Sequence, residues 1–176
     1  MDSRTVPTRR QLFAGAAIAL GSLAAGGDCW ASPQQSAPKD TPIASPKPVR
    51  ASLHYHADLK ASPERVYEVL LDPKLFAAMT GLPAEIDSTP GRAFSLFSKQ
   101  IEGRIVELVP SLRIVQAWRP AHWEPGVYSI VRFALTARGA EATLLLDHVG
   151  FPEGDAEGLD SGWHEHYLAP LRKYFP

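Results

Sequence analysis

Residues 94–135, FSLFSKQIEGRIVELVPSLRIVQAWRPAHWEPGVYSIVRFAL, constrain the fold more than any other stretch of this chain. The segment reads as short runs of β-branched and aromatic residues, cut at Gly103, Pro110-Ser111, Pro120 and Pro125-Gly126. Strands joined by connections this short pair antiparallel, because a parallel crossover needs a dozen residues or more. Further runs at 84–87 and 142–149 extend the pattern. The expected strands are 84–87, 92–97, 103–109, 112–119, 127–136 and 142–149.

A separate strand is expected at 52–59. Leu53, Tyr55, Ala57 and Leu59 alternate there with His54, His56 and Asp58. Ser62-Pro63 then supplies a helix cap and a first-turn proline, with Val66, Val69 and Leu70 as the inward stripe. Asp72-Pro73 ends that helix and caps a second, whose inward residues are Leu75, Phe76 and Met79 and whose stop is Gly81. A last helix is expected from about Ser161 to Phe175, with Trp163, Tyr167, Leu171 and Tyr174 on one face and a kink at Pro170. The acidic residues Glu153, Asp155, Glu157 and Asp160 are read as lying ahead of it, complementing its positive end. The predicted class is α+β: a curved antiparallel sheet of about six or seven strands wrapped on a long C-terminal helix, with two short helices after the first strand.

The first 49 residues stand apart. Thr8-Arg9-Arg10-Gln11-Leu12-Phe13 resembles a twin-arginine export motif, and an Ala/Gly/Leu-rich run over 12–26 follows it. That run is shorter than the roughly 20 apolar residues of a comfortable membrane span. Cys29-Trp30-Ala31 offers small residues at the −3 and −1 positions of a peptidase site, so cleavage after Ala31 is expected. Lipid attachment at Cys29 is the less favoured alternative, because Asp28 occupies the place of a small residue. Residues 32–49, rich in Pro, Ser and Ala, have too little apolar surface to offset ordering and are read as a linker. The expected organisation is an export signal over 1–31, a linker over 32–49 and one domain over 50–176, placed in the periplasm or secreted.

A formal net charge of −1 provides no electrostatic footprint for nucleic acid. The single cysteine, Cys29, excludes an internal disulfide framework and a cysteine-based zinc site. His54 and His56 share a strand face with Asp58, a spacing that metal ligands use, but a polar outer face is the plainer reading. His164 and His166, two apart on a helix, diverge by roughly 200° and cannot share a metal. The domain has no Gly-x-Ser-x-Gly elbow, no thiol and no Gly-rich phosphate loop. No catalytic residue, metal site or cofactor is therefore assigned.

The order of several short motifs resembles a known family. Phe94-Ser95-Leu96-Phe97, GRIVELVP over 103–110, IVQAWR over 114–119, Trp123-Glu124-Pro125-Gly126, Gly150-Phe151-Pro152 and Gly162-Trp163 look like the C-terminal domain of the activators of heat-shock-protein-90 ATPase. That family lies within the START-like (SRPBCC, birch-pollen-allergen-like) superfamily. Two departures stand out: Ser98-Lys99 where the family usually has Gly-Gly, and Val127 in place of a histidine. The eukaryotic activators also carry an N-terminal chaperone-holding domain that is not expected here.

The resemblance implies a helix-grip fold and, as in START-like relatives, a small hydrophobic molecule held between sheet and C-terminal helix. The residues expected to line that space are Phe76, Met79, Phe94, Phe97, Glu107 and Gln116, together with Trp118, Trp123, Tyr128, Trp163 and Tyr167. Alternation places Glu107 on the face of Ile105 and Val109, and Gln116 on that of Ile114 and Trp118. Two alternatives stay open. One is a cyclase- or hydrolase-like enzyme using polar groups such as Glu107 and His148. The other is a protein-interaction module of the co-chaperone kind.

Overall fold

The computed structural model describes residues 50–176; the expected export signal and linker lie outside them. Seven strands form one antiparallel sheet in the order β1-β7-β6-β5-β4-β3-β2. They are β1 (Ser52–Leu59), β2 (Ala84–Ile86), β3 (Ala93–Leu96), β4 (Ile101–Val109), β5 (Arg113–Pro120), β6 (Ser129–Arg138) and β7 (Glu141–Val149). Strands β2 to β7 are a simple meander, and β1 adds beside β7, Ser52 opposite Val149. Two short helices, α1 (Pro63–Leu71) and α2 (Pro73–Thr80), follow β1. The chain ends in α3 (Ala156–Trp163), a π-helical turn (His164–Leu168) and α4 (Ala169–Tyr174).

Local chemistry accounts for the helix ends. Ser62 accepts a hydrogen bond from the Arg65 N–H, with Pro63 at the first turn. Asp72 Oδ1 accepts from the Lys74 and Leu75 amides at 2.8 and 2.9 Å, so one carboxylate satisfies two orphan donors of α2. Gly81 ends α2 in the left-handed region, φ 75°.

Three of the differences from expectation have a plain physical reason. The last helix begins at Ala156, not near Ser161, so Glu157 and Asp160 lie inside it. Leu159 and Trp163, four apart and buried, carry the apolar stripe through Gly158 and Gly162, which permit a helix without favouring one. Near Pro170 the helix takes up an extra residue: Ala169 N–H reaches back to the His164 carbonyl. Proline has no N–H to give, and a π turn beside it absorbs the misfit. Strand β3 stops at Leu96 because Phe97, Ser98 and Lys99 all adopt left-handed φ of 54°, 57° and 68°. At about 1 kcal/mol or more per non-glycine residue, this turn stores strain that the surrounding packing must offset.

The core lies between the concave sheet face and the helices. Leu53, Ile105, Ile114, Val131, Leu144 and Leu146 from the sheet meet Val66, Val69, Phe76, Trp163, Leu168 and Leu171. The outer face along β1, β7 and β6 carries a charged network, with Ile130, Leu145 and Val149 exposed beside it. His54 Nδ1 lies 2.7 Å from Asp147, Arg132 grips the same carboxylate, and Asp58 accepts from Thr143 and Arg138. His54 and His56 thus belong to a solvated network. Among the described residues no cluster of three or more His, Cys, Asp and Glu is placed to hold a metal.

Phe94 pairs across strands with Gly103 and covers it. A Cβ at position 103 would sit 2.5 Å from Phe94 Cζ and closer still to the Ala117 carbonyl oxygen. Gly103→Ala is therefore expected to cost roughly 1–3 kcal/mol through forced displacement of a buried ring and a strand. Urea denaturation checks this, and an unchanged midpoint contradicts it.

Candidate functional site

A cavity of about 610 Å³ opens at one end of the sheet–helix interface. Its sheet side is Ile101 at the start of β4, Trp118 and Pro120 at the end of β5, and the Ala121-His122 turn that follows. Its helix side is the face of α3 and the π turn that carries Gly158, Gly162, Trp163, His166 and Tyr167. Phe97 and Gln100 border it from the strained turn after β3. Its size falls in the range of sites that hold small molecules, about 300–1,000 Å³.

Two glycines line the space. Gly158 and Gly162 are helical, so neither is required by backbone conformation, and a Cβ built on either meets no atom within 4 Å. Each costs the helix about 0.8–1 kcal/mol relative to alanine. Both border the cavity, where a larger side chain would project into open space.

An aromatic wall faces them. The indoles of Trp118 and Trp163 stack at 4.9 Å with planes 18° apart, and Trp163 leans on Tyr167 at 4.5 Å. Phe97 meets Tyr167 edge-on at 5.5 Å, and Phe76 supports both rings from behind at 5.6 Å. Burial pushes the Tyr167 phenol pKa up.

Behind the wall runs a buried polar chain. Trp163 Nε1–H donates to His148 Nδ1 at 2.9 Å, His148 Nε2 lies 2.7 Å from Ser129 Oγ, and Ser129 Oγ donates to the Trp118 carbonyl at 3.0 Å. With the indole donating to Nδ1, the neutral ring must carry its proton on Nε2 and give it to Ser129. Every member is satisfied. Protonating Nδ1 would set two donors face to face, and burial lowers the His148 pKa from 6.5 to about 4.

The expected lining residues other than Glu107 fall into four groups. Phe97, Trp118, Trp163 and Tyr167 stand on the cavity wall. Phe76, Met79 and Gln116 are buried in the core behind it, Gln116 with its Oε1 unpartnered among the described residues. Trp123 braces the rim: its Nε1 donates to Asp155, which lines the cavity with His122, 3.8 Å from it. Phe94 and Tyr128 line a separate open groove along β2, β3 and β4.

Glu107 is a correction. A β-bulge between Ile105 and Glu107 breaks the alternation of β4 and turns Glu107 outward. There it makes a two-pronged ion pair with Arg113, at 2.8 and 2.9 Å, which lowers its pKa. Glu107 and His148 lie on opposite faces of the sheet, so the acid–base pair weighed for an enzyme is not assembled. Sequence reasoning missed the glycine face of α3, Leu82, Gln100 and the rim groups Asp155, His122 and His166. The signal for the glycines was their spacing of four, in register with Leu159-Trp163.

The relatives fit this geometry. A profile of the "Activator of Hsp90 ATPase homolog 1-like protein" family matches residues 60–176. The chain belongs to this family. Its domain is similar to human activator of 90 kDa heat shock protein ATPase homolog 1, 27% identical over 65% of this chain and 34% of that protein. An uncharacterised protein of Schizosaccharomyces pombe is 31% identical over 70% of this chain and 36% of its own length. The chain thus spans about a third of the curated relatives it matches. Among solved structures, an HSP90 activator from Plasmodium falciparum superposes with TM-score 0.67 at 25% identity, covering 70% of this chain and 95% of that one. A Chromobacterium violaceum protein superposes with TM-score 0.57 at 30% identity, covering 71% and 96%. The START-like helix-grip fold is shared with these.

The buried histidine sets a pH dependence. Because its folded pKa lies below its unfolded one, the unfolded chain takes up the proton first. Stability is then lost as pH falls from about 6.5 toward 4, on the order of 2 kcal/mol by pH 4.5. The ion-paired carboxylates Asp58, Asp87, Glu107 and Asp160, all with lowered pKa, act below that window. Melting of wild type should therefore slope between pH 6.5 and 5, and His148→Gln should flatten the slope. An equal slope in both would refute the assignment.

Proposed function

We propose that this domain is an exported receptor for a small apolar molecule, held in the cavity between α3 and the ends of β4 and β5. The observation that carries the reading is the pair Gly158 and Gly162, which weaken the helix, satisfy no backbone need and open onto ring-lined space. Export is supported by Arg9-Arg10, the apolar run over 12–26 and the small-residue exit at Ala31. No helix among the described residues is long and apolar enough to cross a membrane.

A second reading is protein binding through the outer sheet face. It is favoured by Ile130 and Val149, opposite one another on β6 and β7 and 41% and 39% exposed, with Tyr128 40% exposed on the approach to β6. Relatives are named as activators of the 90 kDa heat shock protein ATPase. On this reading the domain stimulates such an ATPase, and Ile130→Lys with Val149→Lys abolishes the effect. No stimulation by wild type discards it.

The cavity reading is tested by filling the space. Gly158→Ala should raise stability by about 0.5–1 kcal/mol, since it adds helix propensity without a clash. Gly158→Leu should remain folded and lower the affinity for the neutral probe N-phenyl-1-naphthylamine roughly tenfold or more, about 1.4 kcal/mol. Undiminished probe binding in the leucine variant contradicts the site, as does an alanine variant that melts well below wild type.

A further inference from the structure

One carboxylate stands in the lining of the cavity, and no lysine or arginine stands there with it. The ionisable lining groups are Asp155, His122 and His166. Asp155 occupies the N-cap position of α3, yet its side chain takes no helix amide. It is held instead by the indole of Trp123, whose Nε1–H donates to Oδ2. Trp123 is itself packed, at 6% exposure, so the carboxylate is fixed at the rim while its side chain stays 31% accessible. Oδ1 accepts from no group among the described residues.

The cations of the flanking segments are engaged elsewhere. Arg119 donates to the Trp123 carbonyl and pairs with Glu102, and Lys99 borders the separate groove along β2, β3 and β4. His122 Nε2 lies 3.8 Å from Asp155, beyond a hydrogen bond. The positive end of α3 amounts to roughly half a charge and offsets only part of a full carboxylate. Away from these groups the lining is rings and aliphatic chains, Phe97, Ile101, Leu159, Trp163 and Tyr167 among them. A molecule seated against those walls places any charge it carries in the field of Asp155. An ammonium gains there, and ring faces attract ammonium groups as well. A carboxylate is repelled and finds no fixed cation to compensate. We infer that the cavity selects apolar molecules ending in a cationic amine over those ending in a carboxylate, and that Asp155 sets the preference. The inference rests on the cavity being a binding site and adds the charge of what it takes.

The test is calorimetric titration of the full-length protein at about pH 8, where imidazole in water is largely neutral and an alkylamine largely charged. Three probes of one shape are compared: 2-naphthylmethylamine, 2-naphthalenemethanol and 2-naphthoate. The amine should bind roughly two- to fivefold more tightly than the alcohol, and naphthoate more weakly by a similar factor, the scale of one partly exposed charge pair. Asparagine can still accept from Trp123, so Asp155→Asn preserves the rim. In that variant the alcohol should still bind, while the amine loses its advantage and naphthoate its handicap. Wild type provides a reading independent of the variant's folding: raising NaCl from about 0.02 to about 0.5 M should weaken the amine, strengthen naphthoate and leave the alcohol nearly unchanged. Equal binding of the three probes, or a preference for naphthoate, overturns the charge selection and leaves the cavity reading standing. An amine preference that survives Asp155→Asn overturns the role of Asp155. Failure of all three probes to bind overturns both.

Discussion

The indole of Trp163 fixes how the C-terminal helix sits on the sheet. One face of the ring lies on Trp118, and its N–H is held by His148, itself held by Ser129. Stacking and a buried hydrogen bond together specify both distance and rotation, which apolar packing alone leaves looser. Tyr167, Leu168 and Leu171 continue the contact toward the C-terminus as ordinary core. On the N-terminal side of that anchor Tyr55 of β1 donates to Asp160 at 2.5 Å and Leu159 is buried, while the face that carries Gly158 and Gly162 borders the cavity.

Polar chemistry at this junction is arranged for order. His148 sits where a buried base might be sought, yet both its nitrogens are committed to neighbours and burial depresses its pKa. Glu107, its expected partner, serves a surface ion pair instead. The strained turn over Phe97, Ser98 and Lys99 places one aromatic ring of the wall and, through Gln100, part of the rim. Left-handed backbone is costly for three successive side-chain-bearing residues, so packing of Phe97 against Phe76 and Tyr167 must hold the turn in place.

Much of the fold was legible because its punctuation is local. Turn residues and alternation located all seven strands, and Ser62-Pro63 and Asp72-Pro73 announced both short helices. The bulge at Val106 was not legible, since an extra residue in a strand leaves the residue types unchanged while reversing the face of Glu107. The start of α3 was hidden for a related reason: glycines and acids read as a loop, and only the pairing of Leu159 with Trp163 argued otherwise. Within the site, the aromatic wall followed from helical and strand spacing. The cavity did not, because a space is defined by side chains that are missing, and periodicity records only those present.

The account predicts a protein that carries a guest. Native mass spectrometry of the protein recovered from its own cells, without denaturation or detergent, asks this most directly. A bound neutral mass of a few hundred daltons, released on gentle activation and absent from Gly158→Leu prepared alongside, is the expected result. A bare chain in both preparations, with a cavity closed by its own side chains in a crystal structure, would contradict it.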